Sequence, residues 1–150
     1  MANLHKDFKE FLQLLTAHRV KFLIVGAHAL AAHGQPRYTG DLDIFVESSE
    51  NNAKRVVKAL AEFGFGSVGL VLRDFTTRGR VTQLGFPPVR IDILTSISGV
   101  SFATAWEGRK RGTLGGVAVS YLGKREFIRN KTRAGRPKDL ADLALLREQE

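Results

Sequence analysis

The segment Arg37-Tyr38-Thr39-Gly40-Asp41-Leu42-Asp43-Ile44-Phe45-Val46 constrains this chain more than any other. From Asp41 onward it reads as a strand, and strand side chains alternate faces with a period of two. Asp41 and Asp43 therefore leave one face, and Leu42, Ile44 and Val46 cannot all share it. Two like charges side by side on a sheet are unfavourable unless a cation sits between them. A hard divalent cation with oxygen ligands is the natural neutraliser. The segment points to a metal site for phosphate chemistry.

The periodicity around it predicts a single domain over residues 1–150 with a sizeable core. Phe8, Phe11, Leu12 and Leu15 follow helical spacing and predict a helix over about 5–18. Phe22–Val25 is a short apolar strand that ends at Gly26, and Ala27–His33 is a short helix stopped by Gly34 and Pro36. Ser48 or Ser49 caps the next helix, whose stripe is Ala53, Val56, Val57, Leu60 and Phe63, with Gly64 closing it. Residues 66–79 give short apolar pieces and a charged turn with no clear period. Val81–Phe86 and Val89–Leu94 read as strands joined by Pro87-Pro88, and Phe102–Trp106 as a short helix. The stretch 112–122 reads as a hairpin or a strand with a Gly115-Gly116 turn. Helices near 124–133 and 137–148 close the chain. The order predicts an α/β or α+β domain, a mixed β-sheet flanked by helices.

Composition narrows the chemistry. The chain has no cysteine, which excludes disulfides, thiolate metal sites and cysteine nucleophiles. No apolar run approaches the roughly 20 residues that span a bilayer, and Met1–Glu10 shows no secretory signal. A cytoplasmic protein with no membrane partner is the expectation. The net charge of +8 has two readings: contact with polyanions such as RNA, DNA or nucleotides, or a basic surface with no specific partner. The densest basic cluster is late in the chain, at Arg109, Lys110 and Arg111, then Lys124, Arg125, Arg129, Lys131, Arg133, Arg136 and Lys138.

Four constellations carry chemistry. Asp92 interrupts the apolar strand Arg90-Ile91-Asp92-Ile93-Leu94 and points away from Ile91 and Ile93. If that strand lies beside the Asp41/Asp43 strand, three carboxylates converge, a set suited to one or two Mg²⁺ ions bridging nucleotide phosphates. Otherwise Asp92 is a solvent-facing residue on a half-exposed strand. Gly26-Ala27-His28 opens a helix after a strand, where free backbone N–H groups favour anions and glycine permits close approach. His28 and His33 are each a substrate ligand, a base, or a packed helix-end histidine. Arg37 pairs with a phosphate, pairs with the acidic cluster, or is an ordinary surface arginine. In the late block, Pro137 and Asp139 suit a first helical turn, and Lys131 and Lys138 could reach triphosphate oxygens. The alternative is a basic loop between two helices.

Taken together, Gly26-Ala27-x-Ala29-x-x-x-His33-Gly34-x-x-Arg37-x-Thr39-x-Asp41-x-Asp43, with Asp92 on a later strand, resembles the polymerase-beta-type nucleotidyltransferase superfamily. The closing Lys131…Arg136-x-Lys138-Asp139-x-x-Asp142-Leu143 is similar to the small bacterial AbiEii-like branch. The motifs span residues 22–146 or so. The resemblance implies the nucleotidyltransferase fold and a Mg²⁺ or Mn²⁺ site, catalytic and metal-binding, at Asp41, Asp43 and Asp92. It implies nucleotide binding, for example of ATP, near Gly26, Ala27, His28, Arg37, Thr39, Lys131 and Lys138. It further implies transfer of a nucleotide from an NTP to RNA or protein, and a setting in toxin–antitoxin or phage-defence systems. Many relatives carry Gly-Ser where this chain has Gly26-Ala27, so that hydroxyl is absent here. Acceptor recognition then falls to the basic surface, an oligomer or a separate partner protein. Two rivals stand beside the enzyme: an inactive nucleotidyltransferase-like antitoxin or adaptor, and a basic RNA-binding domain with incidental aspartates. The lack of an interleaved aromatic platform counts against the second.

Overall fold

The computed structural model describes residues 4–34, 40–66, 69–86 and 88–147. Arg37 and Thr39 lie outside the described residues, as does Pro87. The elements are α1 (Lys6–Ala17), β1 (Phe22–Val25), α2 (Gly26–Ala32), β2 (Asp41–Val46), α3 (Glu50–Leu60), α4 (Arg73–Thr76), β3 (Val81–Phe86), β4 (Val89–Leu94), α5 (Phe102–Glu107), β5 (Lys110–Leu114), β6 (Val117–Tyr121), α6 (Lys124–Ala134) and α7 (Pro137–Arg147). The strands form one mixed six-stranded sheet in the order β3-β4-β2-β1-β6-β5. The β2–β4 and β1–β6 pairs are parallel; the β1–β2, β3–β4 and β5–β6 pairs are antiparallel.

The central strands are buried because their apolar residues meet helices. Leu23, Ile24, Leu42 and Ile44 are wholly covered, and Phe8, Phe11, Leu12 and Leu15 of α1 pack into the same core. The apolar stripe of α3 buries Ala53, Val56 and Leu60. Ser49 caps this helix by accepting the Asn52 backbone N–H at 3.2 Å. The buried Asn52 side chain ties α3 to the start of β1 and the end of β2. It accepts the Lys21 N–H at 2.7 Å and donates to the Lys21 and Glu47 carbonyls at 3.0 and 2.8 Å. A buried amide satisfied this fully pins the strand pair as well as the helix.

Gly64 breaks the helical path that runs on from α3, as expected of a closing glycine. The helix passes into a π-helical turn over Ala61–Phe65, and Gly64 takes φ 102° inside it. Just before that break, the Phe63 ring packs 5.1 Å from that of Phe11. The unassigned stretch contains α4, whose Phe75 is fully buried. One buried aromatic among polar residues produces no helical period, so local patterning does not mark it.

Candidate active site

Strand pairing brings the carboxylates together. In the parallel β2–β4 register, Asp41 is the partner of Arg90 and Asp43 is the partner of Asp92. The alternation that buries Leu42, Ile44, Ile91 and Ile93 sends Asp41, Asp43, Arg90 and Asp92 to the opposite face. Gly26 fits beside them at the β1–α2 junction, with φ 68°, and a Cβ there would collide with the Asp43 carboxylate. Only glycine meets both the dihedral and the contact.

These residues form one wall of a cleft of about 820 Å³. Gly26, Ala27, Gly40, Asp41, Asp43 and Asp92 lie on the sheet side; Asn130, Lys131, Ala134, Arg136 and Lys138 come from α6, α7 and the turn between them. Burial, and then the charges of Asp92 and Asp41, push the Asp43 carboxyl up to about 6 from its ordinary 3.8. Hydrogen bonding to Asp92 adds to the rise, and the Lys138 ammonium across the cleft opposes it. A cluster that makes one member hold its proton near neutrality is poised to trade that proton for a cation.

Arg90 joins the carboxylates on this wall, a site residue that the acidic motif does not announce. Its guanidinium donates to Asp41 at 2.8 Å and to Asp92 Oδ2 at 3.3 Å. Its Nε stands 3.2 Å from Asp92 Oδ1 without aligning into a hydrogen bond, so both of those buried atoms lack one. The signal was present: Arg90 is two residues before Asp92, hence on its face. Among the described residues, no three histidine or carboxylate groups stand ready-made as a metal cage. The donor set nevertheless fits a hard cation. It is all oxygen, mutually repelling, and includes a buried Asp92 oxygen with no hydrogen bond.

The other candidates separate. Lys131 lines the cleft, but it is 7 % exposed. Its ammonium is held by Asp139 at 3.1 Å and Asp142 at 3.6 Å, under the α6–α7 turn. Lys138 is exposed and free to meet a ligand. His28 does not line the cleft; burial lowers its pKa, keeping it neutral, and its Nε2 has no hydrogen bond. His33 follows α2, with its Nε2 2.8 Å from the Leu122 carbonyl, and joins α2 to the end of β6. It serves packing in this arrangement.

No protein-family model matches the chain, and no curated protein matches it by sequence. The solved structures do give a likeness. It is a Thermotoga maritima protein provisionally assigned as a nucleotidyltransferase, with a TM-score of 0.58 at 14% identity. The match covers 95% of this chain and 91% of that one. The fold is that of the nucleotidyltransferases. Identity this low carries the fold alone. Within a nucleotidyltransferase fold, the Asp41/Asp43/Asp92 wall and the cationic α6–α7 turn face each other across one cleft.

Proposed function

We propose that this chain is a divalent-metal-dependent nucleotidyltransferase that moves a nucleotide from an NTP onto a hydroxyl of a macromolecular acceptor. The observation that carries the reading is the register that sets Asp43 beside Asp92, with Asp41 one pleat away, opposite Lys138. Asp41, Asp43 and Asp92 would hold Mg²⁺ or Mn²⁺, which when bound neutralises phosphate charge and favours departure of pyrophosphate. Lys138 and Arg136 reach the phosphates from the other wall, and Gly26 lets the Asp43 carboxylate lie close against the start of α2. Asp92 accepts the acceptor's hydroxyl proton as that oxygen bonds to the α-phosphorus. The bond between the α-phosphorus and the bridging oxygen breaks, and its electrons leave with pyrophosphate. The motif resemblance supports a setting in a toxin–antitoxin or phage-defence system, and the chain would act in the cytoplasm.

One observation favours a second reading, a non-catalytic adaptor. Arg90 already bridges Asp41 and Asp92, so the site is partly neutralised from within. Label transfer separates the two. The full chain is incubated with each α-labelled NTP, Mg²⁺ or Mn²⁺, and cellular RNA or protein. The enzyme reading expects label on one acceptor class that is lost in Asp41→Ala. Absence of label in every combination, from folded protein, would leave the adaptor.

A further inference from the structure

We infer that the outer face of α6 is a docking surface for a nucleic-acid backbone. Arg125, Arg129 and Arg133 recur every fourth residue along this helix, and all three are exposed. That spacing stacks their side chains in one row, about 6 Å apart along the axis. Among the described residues none of the three is in an ion pair. The helix has one acid, Glu126, and it does not neutralise the row: its carboxylate is buried, turned into the space that Gly108 and Gly123 leave by lacking a Cβ.

The row borders a groove of about 880 Å³ lined by Gly99, Ser101, Thr104, Arg129, Thr132 and Arg133. Its other bank is held firmly. Asn130 donates from Nδ2 to the Ser98 carbonyl at 3.0 Å, and Gly99, with φ 76°, packs directly on the Arg133 stem. The next residues around the helix, Asn130, Lys131 and Ala134, line the acidic cleft. One helix thus carries the groove on one side and the cleft on the other, and Arg136, just after the helix, also lines the cleft.

A nucleic acid fits this surface better than an acidic protein does. Guanidinium groups at a regular spacing match regularly spaced phosphates and bind them bidentately, without reading sequence. The net charge of +8 extends the attraction beyond the groove. Identifying the docked strand as the acceptor rests on the proposed function; the docking itself does not.

The test is binding of a fluorescein-labelled single-stranded RNA of about twenty nucleotides, read by anisotropy over a range of salt. The triple variant Arg125→Gln, Arg129→Gln, Arg133→Gln is compared with Lys54→Gln, Arg55→Gln, Lys58→Gln on α3, which loses the same charge. The α6 triple is expected to bind at least about tenfold more weakly, with a salt slope shallower by about two to three. The α3 triple should stay close to wild type. Equal weakening in both triples, or no weakening in the α6 triple, would overturn the inference, as would displacement of the RNA by polyglutamate at matched charge. An identical DNA strand binding equally would leave it standing as a backbone site. If the wild type binds RNA through α6 but transfers no label, the proposed activity fails and the docking surface remains. If label transfer proceeds and the α6 triple binds RNA normally, the reverse holds.

Discussion

Asp43→Asn will abolish nucleotide transfer, by at least about a thousandfold, and will raise the stability of the metal-free protein near neutral pH. Both effects have one cause. Asp43 is crowded by Asp92 and Asp41 in a half-buried site, which raises its pKa in the fold to about 6 from 3.8. A carboxyl with a raised folded-state pKa adds stability below its unfolded value and loses it as pH rises through the folded one. The contribution is therefore complete below pH 3.8 and gone above about 6. At pH 7.5 the ionised Asp43 weighs on the fold, and the neutral amide removes that load. Melting temperatures without divalent ions, at pH 5 and 7.5, should show Asp43→Asn ahead at pH 7.5 with the gap closing at pH 5. A structural aspartate would give the opposite, a variant less stable at pH 7.5. Full transfer activity in Asp43→Asn would remove it from the active site.

Asp139→Ala will cost about 3–5 kcal/mol of folding free energy, the largest loss expected for one residue outside the apolar core. Asp139 is fully buried and accepts from Lys131 at 3.1 Å, from the Arg136 backbone at 3.1 Å and from the Arg136 side chain at 2.7 Å. Burial works against its charge, yet the hydrogen bonds from Arg136 and Lys131 outweigh it and hold its carboxyl at about 2. Its stabilisation is thus present above pH 3.8 and lost as pH falls towards 2, opposite in sense to Asp43. Alanine would leave the buried Lys131 ammonium with Asp142 alone, 3.6 Å away. The same carboxylate fastens the α6–α7 turn that presents Arg136 and Lys138. Pairing Asp139→Leu with Lys131→Met, which removes both charges, should recover much of the loss in a denaturant titration. A cost near 1 kcal/mol or below for Asp139→Ala would mean the network behaves as a surface pair.

How far the sequence reached depended on the kind of signal. Period-two alternation placed Asp41 and Asp43 on one face, and Asp92 on the polar face of its own strand. It could not say that β4 lies parallel beside β2, because pairing partners are chosen by the whole sheet. Once they are paired, convergence follows. The same alternation puts Arg90 on that face, but periodicity does not say that a cation there pairs with carboxylates of the neighbouring strand. The charge of Lys131 allows a phosphate ligand or a basic loop residue, and the structure makes it neither, a buried ammonium between two aspartates. Its partners lie eight and eleven residues on, across a turn whose geometry local patterning does not encode. Strands β3 and β4 and the late β5–β6 hairpin were legible because proline and paired glycines punctuate the sequence between them.

On the proposed function, Asp41, Asp43 and Asp92 together hold the cation. Mn²⁺ binding followed by electron paramagnetic resonance tests it most directly, with the full chain titrated at pH 7.5 with and without NTP. The free-ion signal should fall on adding wild-type protein, fall further with NTP, and persist with Asp43→Ala. A free-ion signal unchanged by wild-type protein under both conditions, or quenched equally by Asp43→Ala, would contradict it.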